Sequence, residues 1–184
     1  AININPSFFI AYYSLGNSLQ ILGKQQEAIA SYQKAINIKP NYAEAYHKLG
    51  KTFRKLDKDQ EAIASYQKAI NINPSYAEAH NNLGNVFLKI EKYQEAIASY
   101  QKAIKSNTNF AVAYYNLGNV FQYLSKHQEA IKCFQQAIQK EPNNLSFHWL
   151  SMNIFPIVYK NSDEIKIYRK RFENKIGTIN ELLN

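Results

Sequence analysis

The string QEAIASYQKAI occurs at residues 26–36, 60–70 and 94–104, each copy 34 residues after the last. A degenerate fourth copy, QEAIKCFQQAI, follows on the same step at 128–138. A chain with this period is not organised around one irregular core. Each unit is a small supersecondary element that buries its apolar face against the next, so the period predicts a helical repeat array. Such arrays recognise partners along a surface, which makes the candidate site a lining rather than a catalytic pocket.

The repeats run 9–42, 43–76, 77–110 and 111–144 without insertion. In the second, the patterned positions are Tyr46, Leu49, Gly50 and Phe53, then Ala62, Tyr66 and Ala69, and finally Pro74. Tyr46, Leu49, Phe53 and Leu56 fall at three- and four-residue steps and so share one helical face. Gly50 admits the close approach of a second helix, at a propensity cost of ~1 kcal/mol. Ala62, Ser65 and Ala69 are the small partners on that second helix, with Ile63, Tyr66 and Ile70 filling the gaps. Glu61 opens it and Lys68 lies near its end, each at the pole its charge prefers. The short polar link at 57–59 makes the two helices antiparallel neighbours.

The same pattern recurs as Tyr12/Leu15/Gly16/Leu19, His80/Leu83/Gly84/Phe87 and Tyr114/Leu117/Gly118/Phe121. Aromatic-x2-Leu-Gly-x2-aromatic, Ala-x3-aromatic, Pro resembles the tetratricopeptide repeat. The resemblance implies an all-α, right-handed superhelical solenoid of antiparallel helix pairs, closed by C-terminal capping helices. Thr108 stands where the other copies carry Pro40, Pro74 and Pro142, and a softer turn is expected there.

Residues 1–8 read as the remnant of a preceding repeat, since AININP at 1–6 matches AINIKP at 35–40 and AININP at 69–74. The chain is therefore expected to be cut from a longer array. It is also expected to self-associate through that end, where Ile2, Ile4, Phe8, Phe9 and Tyr12 lose their cover. After Asn144 the pattern stops. A helical segment at 145–156 should end at Pro156, and Asn161 should cap a further helix with Glu164 three residues on. Gly177 is expected to divide that helix. Residues 145–184 form a cap or junction, with 145–176 packed near Phe134 and Ile138.

Within this tail, Trp149, Asn153, FPIVY at 155–159 and EI-x2-YR-x-RF at 164–172 resemble a known junction. It joins the repeats to the catalytic domain in bacterial relatives of SPINDLY and O-linked N-acetylglucosamine transferase. The resemblance implies a glycosyltransferase domain beyond Asn184, with these repeats as its substrate-recruiting arm.

Catalysis within the chain itself is not expected. The histidines at 47, 80, 127 and 148 lack paired metal-ligand spacing, and the glycines sit singly rather than in a phosphate-cradling loop. Carboxylates occur one per helix start, and no cofactor is implied. Cys133 takes the place of Ser31, Ser65 and Ser99, as a small packing residue would, and as the only cysteine it allows no intrachain disulfide. No apolar run approaches the ~20 residues of a membrane span, and no signal peptide is visible, so a cytoplasmic location is expected.

The net charge of +8 raises the question of nucleic acid, but lysines and arginines are interleaved with acids throughout. The one cluster is Lys48, Lys51, Arg54 and Lys55 on the first helix of the second repeat, with only Glu44 in opposition. It reads as a solvated face or as a site for an acidic peptide or carboxylate, ahead of a phosphate-backbone track.

The resemblance also implies that the first helices line the concave face. Residues flanking each Leu-Gly pair are Ser14 and Asn17, Lys48 and Lys51, Asn82 and Asn85, then Asn116 and Asn119. Asn81, Tyr115 and Tyr123 are expected beside them, with Tyr13 and His47. An asparagine amide both donates and accepts, so a row of them can hold a peptide backbone without reading its side chains. The row resembles the asparagine ladder of O-linked N-acetylglucosamine transferases. A merely solvated face is the competing reading, although asparagine is a mediocre helix former. On the ladder reading, alanine at these sites weakens partner binding without lowering helix stability.

Overall fold

The computed structural model describes residues 8–152 and 162–183. These form ten α-helices with no strand among the described residues. The backbone divides into two units, residues 1–106 and 107–184.

The first unit holds α1 (Phe8–Ile21), α2 (Gln25–Ile38), α3 (Ala43–Lys55), α4 (Asp59–Ile72), α5 (Ala77–Lys89) and α6 (Tyr93–Ser106). They pack as the pairs α1/α2, α3/α4 and α5/α6, and α2 lies against α3 as α4 lies against α5. Each second helix of this unit supplies a fully buried alanine and tyrosine, and α3 and α5 close over those of α2 and α4. Ala28, Ile29 and Tyr32 of α2 meet Leu49 of α3, while Ala62 and Tyr66 of α4 meet Leu83 and Val86 of α5. Burying one such aromatic contributes ~1.5–3 kcal/mol, so the stack is held by a few large rings per repeat. The equivalent leucine of α1, Leu15, is 48% exposed where Leu49 and Leu83 are 6% and 7% exposed. Phe8 and Ile10 are exposed beside it, while Ile2 and Ile4 lie outside the described residues.

Each second helix carries a glutamate in its first turn, Glu27, Glu61, Glu95 and Glu129, at the positive end of the helix dipole. The basic counterpart is missing in α4, whose last turn holds no cation, so Lys68 lies short of the pole assigned to it. First helices end on a left-handed residue at one repeat position: Gly23 (φ 75°), Asp57 (55°), Glu91 (61°) and Ser125 (56°). Only the first of these is the glycine that conformation favours.

The second unit holds α7 (Ala111–Tyr123), α8 (His127–Lys140), α9 (Leu145–Met152) and α10 (Ser162–Leu183). The turn at Thr108 forms without proline. Asn109 N donates to Asn107 Oδ1 at 3.0 Å, as Ser75 N donates to Asn73 Oδ1 at 3.2 Å in the proline-bearing turn.

The helix α9 begins one period after α7. Ser146 N donates to Asn144 Oδ1 at 3.2 Å, and His148 Nε2 bonds Pro142 O at 2.7 Å as His80 Nε2 bonds Pro74 O at 3.0 Å. Phe147 stands where Ala79 and Ala113 stand, and its ring is buried against Ala111, Ala137 and Ile138. Of the stretch expected on α8, α9 is the part that packs there. The helix α10 runs unbroken through Gly177, which corrects the expected division. It packs on α9 and buries Tyr168. The expected stop at Pro156 and cap at Asn161 lie outside the described residues.

Candidate functional site

The first-helix face is built around its glycines. A Cβ on Gly16, Gly50 or Gly84 would lie 2.5, 2.8 or 2.7 Å from the ring of Tyr32, Tyr66 or Tyr100 on the paired helix. Gly118 stands in the same relation to Phe134, at 2.8 Å. Each ring lies under its glycine, and in two repeats its hydroxyl reaches the next residue along. Tyr32 Oη donates to Asn17 Oδ1 at 3.0 Å, and Tyr100 Oη donates to Asn85 Oδ1 at 2.8 Å.

The other two repeats break this pair in different ways. In the fourth, Phe134 has no hydroxyl to offer Asn119. In the second, Lys51 replaces the asparagine, and the buried Tyr66 hydroxyl has no hydrogen-bond partner. The Arg54 guanidinium approaches it without a hydrogen bond of ordinary geometry. Burial pushes the Tyr66 phenol up to about 12, with Arg54 partly offsetting it.

His47 joins neighbouring repeats. Its ring is buried 4.9 Å from that of Tyr76 and 5.8 Å from that of Tyr66. Nε2 lies 2.8 Å from Asn82 Nδ2 and Nδ1 lies 3.1 Å from Tyr76 Oη. An amide nitrogen only donates, so Nε2 accepts and Nδ1–H donates to the tyrosine. Burial, then Lys51 and Lys48, lower the His47 pKa to about 4, so the ring is neutral at pH 7. Asn82 thereby commits one N–H and keeps a second N–H and its Oδ1.

The predicted lining therefore divides. Asn17 and Asn85 are tied to tyrosines, and Asn82 is oriented by a histidine. Asn116 and Asn119 are half-buried on α7. Lys48 and Lys51 are half-buried on α3, with Arg54 and Lys55 exposed on the next turn. Tyr123 is 73% exposed at the end of α7. One member is corrected, since Asn81 is only 5% exposed and lines no open surface. Tyr115 is half-buried and packs against Phe134 and Phe147, at ring separations of 5.7 and 5.1 Å. Sequence reasoning missed Tyr66 and Tyr76 as neighbours of the lining. The readable signal was the pairing of asparagine after the glycine with tyrosine fifteen residues on, which loses its asparagine at Lys51/Tyr66 and its tyrosine at Asn119/Phe134.

Other candidates are unremarkable chemically. Ser31, Ser65 and Ser99 each bond the carbonyl four residues back, and Cys133 takes their position with its thiol pushed up to about 11 by burial and Glu129. Such a thiol is a poor nucleophile. Among the described residues no three His, Cys, Asp or Glu groups are gathered to hold a metal, and no helix is long and apolar enough to cross a membrane. An open cleft of about 600 Å³ between Pro40, Asn41, Tyr46, Lys68, Asn71 and Ile72 shares no residue with the lining.

Comparison with known proteins agrees with this geometry. A family model described as "TPR repeat" matches residues 19–57 and 50–91, and one described as "Tetratricopeptide repeat" matches 77–110 and 111–144. No curated protein matches. Among solved structures, MamA is 28% identical, with a TM-score of 0.77 over 90% of this chain and 95% of that one. YrrB, described as a TPR protein with an unusual peptide-binding site, is 20% identical, with a TM-score of 0.66 over 94% of this chain and 83% of that one. The first TPR of Spaghetti (RPAP3), solved with the HSP90 peptide SRMEEVD, is 23% identical, with a TM-score of 0.63 over 68% of this chain and 99% of that one. Family models spanning residues 19–144, on helix pairs of this geometry, show that the chain belongs to the tetratricopeptide repeat family.

Proposed function

We propose that the chain is a cytoplasmic protein-binding module that holds an extended, partly acidic segment of a partner along its first helices. The single observation that carries this reading is Asn82. A neutral, buried histidine fixes its amide at 2.8 Å and leaves one N–H and Oδ1 for a backbone. A solvated surface has no need of such orientation, whereas recognition of a main chain does. The solved relatives support it, since YrrB is described by its peptide-binding site and Spaghetti was solved with a bound peptide. Partners captured from lysate supply the ligands for the test. Asn82→Ala and Asn119→Ala should weaken captured peptides of unrelated sequence by similar factors, each hydrogen bond contributing ~0.5–1.5 kcal/mol. Full retention of every partner at unchanged affinity sinks the ladder.

The exposed apolar residues of α1 support an additional self-association, tested by light scattering over a concentration series with and without one upstream repeat. The residue pattern at 149–172 supports a second reading, the recruiting arm of a SPINDLY-like glycosyltransferase. Sugar transfer by the parent protein to a partner captured on this lining supports it, and transfer unaffected by deleting the lining refutes it.

A further inference from the structure

The second repeat departs from its neighbours at one place on the lining. Where the first and third repeats close an asparagine–tyrosine hydrogen bond, it carries Lys51 in the asparagine's place, and the buried Tyr66 hydroxyl has no hydrogen-bond partner, with the Arg54 guanidinium approaching it. Lys48, Arg54 and Lys55 stand around Lys51 on the same helix, and none of the four makes an ion pair among the described residues.

Nothing near answers that charge. Helix α1, on one side, carries no charged residue. The acids at the foot of α3, Asp57 and Asp59, are both held by Lys89 of α5, at 2.6 and 3.0 Å. Glu44 is the one acid of α3 itself and forms no ion pair among the described residues, and it acts on Tyr76 together with Glu78 of α5. Lys51 is half-buried, and that burial together with Lys48, Arg54 and Lys55 holds its amine below the usual lysine range. A partly desolvated amine thus takes the place of the asparagine beside a buried hydroxyl that Arg54 approaches without a hydrogen bond, an arrangement that favours an incoming anion.

We propose that the second repeat carries an oxyanion subsite, floored by Lys51 and the Tyr66 hydroxyl and rimmed by Lys48, Arg54 and Lys55, for the phosphate monoester of a phosphorylated partner segment. Four cations and a hydroxyl donor suit a dianion with three acceptor oxygens better than a single carboxylate. The cations also stop within one helix. A nucleic-acid backbone would need a track of them, and the asparagines on either side are neutral. The subsite rests on the peptide-binding reading and adds to it a preference for one phosphorylated position.

The protein's own repeats supply the variants that test it. Lys51→Asn installs the residue that accepts the tyrosine hydroxyl in the first and third repeats, and Tyr66→Phe copies Phe134 of the fourth, so both should fold. Amide and lysine NMR shifts are followed during titration with O-phosphoserine, with acetate and chloride at matched ionic strength as controls. The wild type should respond to phosphoserine at residues 47–55 and 66. Lys51→Asn and Tyr66→Phe should each bind about tenfold or more weakly, the usual loss with one charge-assisted hydrogen bond. Equal responses to acetate, tighter binding of a single-stranded oligonucleotide than of a phosphopeptide, or unchanged affinity in both variants each overturn the proposal. Unphosphorylated partner peptides should bind Tyr66→Phe, which changes no exposed lining group, as they bind the wild type, which separates failure of the subsite from failure of the lining.

Discussion

Replacing Asn85 by alanine removes the acceptor for the Tyr100 hydroxyl, which lies 2.8 Å away on a ring with no solvent exposure. Stranding a buried hydroxyl costs ~1–3 kcal/mol, and alanine's better helix propensity offsets at most ~0.7 kcal/mol of that. The net loss should be about 1–2 kcal/mol, or a few degrees in thermal midpoint for a chain of this size. Asn119→Ala is the matched control, because Phe134 offers no hydroxyl there and stability should hold within ~0.5 kcal/mol. A second control is Tyr100→Phe in the Asn85→Ala background, which removes the stranded group and should recover most of the loss. Urea unfolding followed by circular dichroism gives all four stabilities. This reverses the expectation that alanine at these sites leaves stability untouched. If Asn85→Ala and Asn119→Ala prove equally stable, the tyrosine pairing has no structural weight and the reasoning fails.

Three further outcomes are expected. Glu91 holds a left-handed φ of 61°, so Glu91→Gly should stabilise the chain by ~1 kcal/mol in urea, while a loss would show the turn is not strained. His47 has its pKa depressed from 6.5 to about 4, so the folded state favours the neutral ring. Its contribution is complete above pH 6.5 and is lost as pH falls towards 4, on the order of 3 kcal/mol in all, and His47→Asn should flatten that part of the urea-stability profile. Truncation after Asn144 uncovers Ala111, Ala137 and Ile138, and should cost the ~1.5–3 kcal/mol that burial of Phe147 contributes, lowering the thermal midpoint by several degrees; an unchanged midpoint would make α9 a tether.

Most of the fold was legible because its determinants are local and repeated. The glycine after each leucine and the aromatic sixteen residues on fix how a helix pair closes, and both are visible at a fixed period. The tail was less legible. In α9 a phenylalanine replaces the small residue of the pattern, so the period is carried by the turn at Asn144 and the His148–Pro142 bond. Gly177 was read as a breaker, but a single glycine costs only ~1 kcal/mol and the surrounding α10 absorbs it. In the lining, periodicity shows which positions share a face but not which groups are already engaged. Asn17 and Asn85 are bound to tyrosines, Asn81 is buried and Tyr115 packs on Phe134 and Phe147, and those facts depend on residues on other helices.

The most direct test of recognition along the first helices is a hydrogen-exchange and side-chain NMR footprint of a captured partner peptide. Protection and shift changes should fall on α3 and α5, with the Asn82 amide and the His47 ring among the most perturbed. A footprint confined to α4 and α6, or to the cleft between Pro40 and Ile72, would contradict it.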